Sequence, residues 1–245
     1  MKIGIYVDAV NINRNGGYSM KYDILKEYCG REGEVIRQNT YVTYDRERAE
    51  IDRDYREKQF GYYSILRSFG YKVLSKPTKW FMDEEGNKIP KSSSDIEIST
   101  DLMLETANLD KVYMLTGDGD FKRLVRAIQS KGVRVELIGF KNVSTELIFE
   151  ADWFVSGYLI PNLVPVEGQQ PEEWGQENSR VRGSVYAIND GFGFMRFLNL
   201  ELEFEEVFFH FSEMPPLHRV RLDETMEFTL IQGDRGWQAK EVRPM

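Results

Sequence analysis

The stretch Lys111-Val-Tyr-Met-Leu-Thr-Gly-Asp-Gly-Asp-Phe121 decides the fold prediction for this chain. Its first five residues are mostly apolar, and turn-forming residues follow, which is typical of a buried strand in a parallel sheet. Asp118 and Asp120 come directly after that strand. In open α/β sheets, residues at the carboxyl ends of the strands form the ligand site. The stretch therefore predicts an α/β sheet with acidic groups at one edge.

Three further polar residues have a similar placement. The apolar run Lys2–Val7 predicts another strand, which Asp8 follows directly and Asn11 follows at a short distance. Because the carboxyl ends of parallel strands meet at one edge, we expect Asp8 and Asn11 to lie near the Thr116–Phe121 loop. Asp95 follows Ser94, the predicted N-cap of a helix over 94–107, and is a fourth carboxylate expected there.

Strands and helices alternate throughout the first part of the chain. The remaining predicted strands cover 34–44, 71–74 and 133–138, and the predicted helices cover 20–28, 46–69, 94–107, 120–130 and 144–150. A small hairpin with its turn at 83–87 is also expected. This alternation predicts a doubly wound parallel sheet covered on both faces, in a domain spanning 1–164.

The composition changes after residue 164. Residues 165–179 are polar, rich in Pro, Gly and Gln and without periodicity, so we predict a flexible linker. Five short alternating runs then follow, at 183–188, 193–198, 206–210, 226–231 and 237–242. They predict a small all-β barrel of the OB type over 180–245.

The overall composition excludes several classes of protein. Of the 245 residues only one is cysteine and two are histidine, which excludes an internal disulfide and a cysteine-based zinc site. No signal peptide and no membrane-spanning run is recognisable, so we expect a cytoplasmic protein without a membrane partner. The glycine-rich motifs of dinucleotide and P-loop sites and the G-x-S-x-G nucleophile motif are absent as well.

The net charge of −8 is unevenly distributed. Residues 1–166 carry −1 and residues 167–245 carry −7. Nucleic-acid-binding proteins are usually basic, so the total argues against such a partner. The distribution argues only against strong binding driven by charge in the second domain.

Carboxylates that converge on one point repel each other and remain ionised readily only with a cation between them. Oxygen ligands select Mg²⁺ or Mn²⁺, the ions that assist phosphodiester cleavage.

Each of these acidic residues also has a simpler structural role open to it. Asp8 could form a turn, Asp118 and Asp120 could cap a helix, and Asp95 could favour a helix N-terminus.

The second domain carries a cluster of aromatic residues. In a strand, side chains two residues apart share a face, so Phe192 and Phe194 point together, as do Phe208 and His210. Phe211 lies near the strand end. An exposed row of aromatic rings is a stacking surface for bases, although most aromatic residues in proteins belong to the core.

The combination of Asp8-Ala-Val-Asn11, Lys91…Asp95…Asp101 and Thr116-Gly-Asp-Gly-Asp-Phe121 resembles the NYN domains, the LabA-like branch of the PIN-like nucleases. The resemblance covers about residues 1–160 and implies a metal-dependent ribonuclease. It implies that Mg²⁺ or Mn²⁺ is bound by the acidic set of Asp8, Asp95, Asp118 and Asp120. Asn11 would assist as a polar group, and Asp101 and Thr116 would support the ligands.

The barrel resembles cold-shock domains over 182–242, on the motifs Gly191-Phe-Gly-Phe194 and Val207-Phe-Phe-His-Phe-Ser212. This resemblance implies that single-stranded nucleic acid is contacted by the aromatic set of Phe192, Phe194, Phe208, His210 and Phe211. The chain departs from the usual pattern by having Asp190 before the first motif and several glutamates after it. We therefore expect modest affinity, carried mostly by stacking.

These observations lead to one main functional hypothesis with two alternatives. We expect a metal-dependent ribonuclease with an RNA-binding barrel. Single-stranded DNA as a further ligand and assembly into a homo-oligomer both stay open. The first alternative is an RNA-binding regulator without catalysis, and the second is a protein-interaction module. Basic residues near the predicted site could hold phosphates or be ordinary surface charges; they are Arg14, Lys76, Lys79, Lys91 and Lys122.

Overall fold

The computed structural model describes residues 1–82, 88–91 and 94–245. The predicted turn at 83–87 and the side chains of Lys79 and Lys91 lie outside the described residues. The chain forms two compact units, one made of 1–18 with 22–155 and the other of 19–21 with 156–245. No helix in the described parts of the chain has the length and apolar character that crossing a membrane requires.

The first unit is built on a six-stranded sheet with the order β3-β2-β1-β6-β7-β8. Its strands are β1 (Lys2–Asp8), β2 (Glu34–Tyr44), β3 (Lys72–Pro77), β6 (Lys111–Leu115), β7 (Arg134–Gly139) and β8 (Trp153–Ser156). The pairs from β3 through β7 are all parallel, which confirms the doubly wound sheet. The predicted hairpin is present as β4 (Lys79–Met82) and β5 (Lys88–Lys91), which form a separate antiparallel pair.

The helices are α1 (Ala9–Arg14), α2 (Tyr22–Gly30), α3 (Arg46–Ile51), α4 (Arg53–Ser68), α5 (Asp95–Glu105), α6 (Lys122–Gln129) and α7 (Thr145–Glu150). The single helix predicted over 46–69 is wrong, because α3 and α4 are separated at Asp52. That residue is extended, with φ −109° and ψ 99°, and its carboxylate accepts a hydrogen bond from the Tyr55 backbone. An aspartate that caps the second helix cannot continue the first.

The winding direction of the sheet reverses between β1 and β6. From β1 the chain proceeds through β2 to β3 on one side, and from β6 it proceeds through β7 to β8 on the other. Val7 pairs in register with Leu115, so the carboxyl ends of both central strands lie side by side. This reversal point is where open α/β sheets bind their ligands.

The second unit contains a closed barrel with the order β10-β11-β13-β12-β9. Its strands are β9 (Arg180–Ile188), β10 (Phe192–Leu198), β11 (Phe204–His210), β12 (Thr225–Gly233) and β13 (Gly236–Pro244). Alternate residues face inward, and Phe197, Phe209 and Phe228 are fully buried in its core. The predicted barrel of the OB type is confirmed.

The segment 165–179 differs from the flexible linker that its composition predicts. Trp174 is buried, and its indole Nε1 donates a hydrogen bond of 2.7 Å to the carbonyl oxygen of Leu198 in the barrel. Val166 joins the barrel core, and Arg182 donates to the carbonyl oxygen of Val164 at 2.6 Å. One aromatic anchor and a buried guanidinium therefore hold a polar segment against the barrel.

Candidate functional site

Asp8 is the last residue of β1 and the N-cap of α1. Its side chain is buried, with 4% of its surface exposed. Oδ1 accepts a hydrogen bond from the backbone N–H of Asn11 at 3.1 Å, and Oδ2 accepts one from Thr116 Oγ1 at 3.4 Å. The cap and the neighbouring strand together fix a carboxylate at the reversal point of the sheet.

The loop after β6 is held by the same three residues. Asn11 Oδ1 accepts a hydrogen bond from the backbone N–H of Gly117 at 2.8 Å. Thr116 Oγ1 accepts the N–H of Asp118 at 3.2 Å while donating to Asp8. The structure therefore brings together Asp8, Asn11, Thr116 and Asp118, and it gives Asn11 and Thr116 a positioning function.

Asp118 and Asp120 lie on a short 3-10 turn, Gly119–Phe121, which precedes α6. Asp118 is partly buried, and its Oδ1 accepts the N–H of Asp120 at 3.0 Å. The Asp120 side chain is exposed. Asp118 therefore caps this turn through Oδ1. The same carboxylate is the predicted metal ligand, and its Oδ2 atom takes no part in the cap.

Burial raises the pKa of Asp8 to about 6, from an ordinary value of 3.8. The carboxylates of Asp95 and Asp118 raise this pKa further, while the Asn11 N–H and the Thr116 hydroxyl oppose the shift. Charge repulsion of this kind requires the three carboxylates to be close. Asp95 is the first residue of α5, and its membership of the acidic ligand set stays a prediction.

The chemistry of these donors fits a hard divalent cation, since every one of them is a carboxylate oxygen. Across residues 1–82, 88–91 and 94–245, no group of three or more His, Cys, Asp or Glu side chains is arranged to hold an ion as it stands.

Asp101 Oδ2 accepts a hydrogen bond of 2.8 Å from the hydroxyl of Tyr41. Tyr41 pairs in register with Asp8 on the adjacent strand. Glu105, one turn further along α5, accepts hydrogen bonds from Tyr6 at 2.6 Å and Asn39 at 3.2 Å. This network, which sequence analysis did not identify, fastens α5 to the sheet and thereby sets the position of Asp95.

Two of the basic residues suggested as phosphate contacts are engaged in ion pairs. Lys76 lies 2.7 Å from Glu97, and Lys122 lies 2.8 Å from Glu146. Arg14 is exposed at the end of α1.

The aromatic residues of the barrel form one continuous surface. Phe192 pairs in register with His210, and Phe194 with Phe208, so the four side chains share one face. The ring centroids of Phe208 lie 5.6 Å from Phe192 and 5.8 Å from Phe194. The three phenylalanines are half-buried and His210 is exposed. We call these four residues the aromatic platform.

Phe211 has a different environment. It is partly buried, packs against the barrel core and lies 5.8 Å from the buried ring of Phe209. Gly193 is also explained by the core, because a Cβ there would lie 2.7 Å from both the Ala187 carbonyl oxygen and the Phe209 ring. The glycine therefore relieves crowding inside the barrel.

Tyr186 extends the platform and was missed by sequence analysis. Its ring centroid lies 6.3 Å from that of Phe194, and the Arg196 guanidinium lies 4.1 Å from the Tyr186 ring centroid. The Tyr186 hydroxyl donates a hydrogen bond to Glu206. The sequence offered one signal for this extension. Arg196 follows Phe194 by two residues and therefore shares its face, and Tyr186 lies on the neighbouring strand β9.

Comparison with known proteins is informative mainly for the first unit. Residues 2–160 match the NYN domain. The Low amplitude and bright protein LabA of Synechococcus elongatus is 26% identical over 143 residues, which cover 56% of this chain and 73% of that protein.

Two solved structures are also similar. A crystal structure of a protein of unknown function from Vibrio parahaemolyticus is 28% identical, with a TM-score of 0.50, and the match covers 63% of this chain and 91% of that chain. A structure named drosophila Unr CSD456 is 28% identical, with a TM-score of 0.24, over 29% of this chain and 28% of that chain.

Proposed function

Because the chain belongs to the NYN domain family, a branch of the PIN-like nucleases, we propose that it is a metal-dependent ribonuclease. Its substrate would be single-stranded RNA, which the acidic site cleaves by hydrolysis of a phosphodiester bond. The barrel would bind the same strand through the aromatic platform.

The observation that carries this proposal is the carboxylate of Asp8. It is buried at the reversal point of the sheet and is electrostatically coupled to Asp95 and Asp118. A buried carboxylate destabilised by two others is a costly arrangement in a purely structural role. A divalent cation among these groups would offset both the burial and the repulsion.

We assign Asp8, Asp95, Asp118 and Asp120 as the residues that would hold Mg²⁺ or Mn²⁺. Such an ion would lower the pKa of a bound water and neutralise charge on the phosphate. The protein would contribute orientation, since Thr116 and Asn11 hold Asp8 and the acidic loop in place. Asp101 would act indirectly, through its bond to Tyr41.

The platform supports a single-stranded nucleic acid as the substrate class. Four neighbouring aromatic side chains on one face of a closed barrel match what single-stranded nucleic acids require, at about 1–3 kcal/mol for each stacked base. Glutamates close to it, such as Glu206, would weaken the contribution of phosphate charge. We infer that stacking dominates binding, and that RNA is preferred by the nuclease unit rather than by the platform.

A cleavage assay tests this proposal. Wild type and Asp118→Asn are compared on single-stranded and structured RNA, with Mn²⁺, Mg²⁺ or EDTA, and Asp54→Asn on the exposed face of α4 is the matched control. We expect metal-dependent cleavage by wild type and the control, and a loss of at least 100-fold in Asp118→Asn. Absence of cleavage with either metal on every RNA would refute the nuclease proposal.

The alternative is an RNA-binding regulator that does not cleave. Its support is the present arrangement of the carboxylates, in which Asp118 caps its own turn and no described group of three is ready to hold an ion. In that case RNA would bind to the platform with equal affinity in wild type and Asp118→Asn, and no product would form.

A further inference from the structure

A pocket of about 480 Å³ lies in the first unit. Its volume is in the range of sites that take small organic ligands. The polar side chains around it are Asn13, Arg14, Tyr18, Lys58, Gln59 and Tyr62. They come from α1, the segment after it and α4.

The pocket begins directly beside the acidic site. Ala9 and Val10, which line it, are the two residues that follow Asp8. On the next strand, Val42 and Thr43 line it and follow Tyr41, the register partner of Asp8. The residues that directly follow Asp8 and its register partner line the pocket, so the pocket adjoins the proposed cleavage site.

The charges around the pocket are of one sign. Arg14 and Lys58 contribute positive charge, and no aspartate or glutamate is among the lining residues. Two cations beside a cluster of carboxylates would attract the anionic backbone of a nucleic acid rather than a second metal ion.

The two tyrosines differ in how they are held. Tyr62 is fixed by a hydrogen bond of 3.0 Å from its hydroxyl to Tyr22 Oη, and its ring meets the Tyr22 ring edge-on at 6.3 Å. Tyr18 has 84% of its surface exposed. The fixed ring of Tyr62 can therefore form a wall of the pocket, and the exposed ring of Tyr18 can stack on a base.

We propose that this pocket binds one nucleotide of the RNA strand, adjacent to the phosphodiester bond at the acidic site. Arg14 and Lys58 contact its phosphate, and Tyr18 stacks on its base. Asn13 and Gln59 supply amide groups that can form hydrogen bonds with base edges. The assignment to RNA rests on the proposed nuclease function, and it adds a substrate-positioning site to the catalytic carboxylates.

Binding of mononucleotides tests this pocket without requiring cleavage. The full chain with Phe192→Ala and Phe208→Ala, which lacks two of the four platform residues, is titrated with uridine 5′-monophosphate, adenosine 5′-monophosphate and inorganic phosphate. We expect Arg14→Gln/Lys58→Gln to weaken nucleotide binding at least fivefold. Tyr18→Ala should weaken nucleotide binding and leave inorganic phosphate unaffected.

The matched control is Arg31→Gln/Lys131→Gln, which removes the same charge just before β2 and β7, at the opposite edge of the sheet. The proposal is overturned if no mononucleotide binds saturably or if the two double variants bind alike. It is also overturned if Tyr18→Ala has no effect, because the pocket would then be a simple anion site. If the platform variant does not fold, shifts of the Tyr18 ring resonances in the wild-type chain supply the same readout.

Kinetics separate this inference from the nuclease proposal. On single-stranded RNA, Arg14→Gln/Lys58→Gln should raise KM about tenfold and change kcat by less than threefold. Each lost phosphate contact should also reduce the slope of log K against log salt by about 0.7. Cleavage with an unchanged KM would refute the pocket alone, whereas mononucleotide binding without any cleavage would refute the nuclease proposal alone.

Discussion

Asn11 and Gly117 lie 106 positions apart in the chain and are joined by a hydrogen bond of 2.8 Å, from the Gly117 N–H to Asn11 Oδ1. The bond connects the first helix to the loop that carries the acidic residues. A Cβ at Gly117 would lie 3.2 Å from the Asn142 carbonyl oxygen. Glycine therefore lets the acidic loop pack closely against the segment that follows β7. Together with the Thr116 hydroxyl, this contact holds the acidic loop against Asp8.

Asn11→Ala is expected to reduce kcat at least tenfold and to leave RNA affinity unchanged. The variant loses the acceptor that holds the acidic loop, so Asp118 is no longer placed relative to Asp8. The loss of one hydrogen bond should lower the free energy of unfolding by only about 1 kcal/mol. Single-turnover cleavage and RNA binding are measured together, and Asn15→Ala at the end of the same helix is the control. Equal kcat values for the two variants would show that Asn11 has no positioning function.

Asp8→Asn is expected to stabilise the metal-free protein at pH 7. The Asp8 pKa is about 6 in the folded protein and near 3.8 when unfolded, so folding binds protons between these values and stability falls as pH rises through this window. The charged form is thus destabilising at pH 7, by about 3 kcal/mol for a shift of two pKa units. Asparagine removes this penalty and still caps α1.

Denaturant unfolding in EDTA at pH 7 and pH 4 measures this effect. The gain from Asp8→Asn should be present at pH 7 and should nearly disappear at pH 4, where wild-type Asp8 is protonated in the folded state. Asp54→Asn is the exposed control. Mn²⁺ should stabilise wild type and not Asp8→Asn. A variant less stable than wild type at pH 7 without metal would contradict the raised pKa.

Phe208→Ala is expected to weaken binding of single-stranded RNA by about 1–3 kcal/mol, which corresponds to roughly 5- to 150-fold. Phe208 contacts both Phe192 and Phe194, so its removal also disorders the platform. Phe149→Ala is a control, because Phe149 is 84% exposed and lies on α7, outside the barrel. Fluorescence anisotropy at two salt concentrations should also show a shallow salt dependence. Unchanged affinity in Phe208→Ala would exclude the platform as the RNA site.

Trp174→Ala is expected to destabilise the barrel by about 3–5 kcal/mol, as is usual for a buried tryptophan. The variant creates a cavity and leaves the Leu198 carbonyl oxygen without its indole partner. Trp153→Ala is the control, since half of the Trp153 surface is exposed. Thermal unfolding should show an earlier barrel transition only in Trp174→Ala. If both variants unfold alike, segment 165–179 is a linker in solution, as its composition predicts.

The architecture was predictable because it depends on short-range patterns. Apolar runs ending in polar turns located β1 and β6, and the alternation of strands and helices determined their parallel arrangement. Period-two spacing likewise placed Phe192 with Phe194 on one face. Breaks decided by a single side chain were harder to predict. Asp52 ends α3 and caps α4 with one carboxylate. The apolar residues keep their helical spacing across this position, so periodicity alone does not reveal the break.

The sequence by itself determined which side chains could form the acidic site, because residues that follow buried strands must emerge at the carboxyl edge of the sheet. Only the tertiary structure decided how they are used. It buried Asp8 and raised its pKa, left Asp120 exposed and bound Asp101 to Tyr41. It also placed Trp174 in the barrel. Burial and charge coupling arise from neighbours distant in the chain, and local sequence patterns do not contain them.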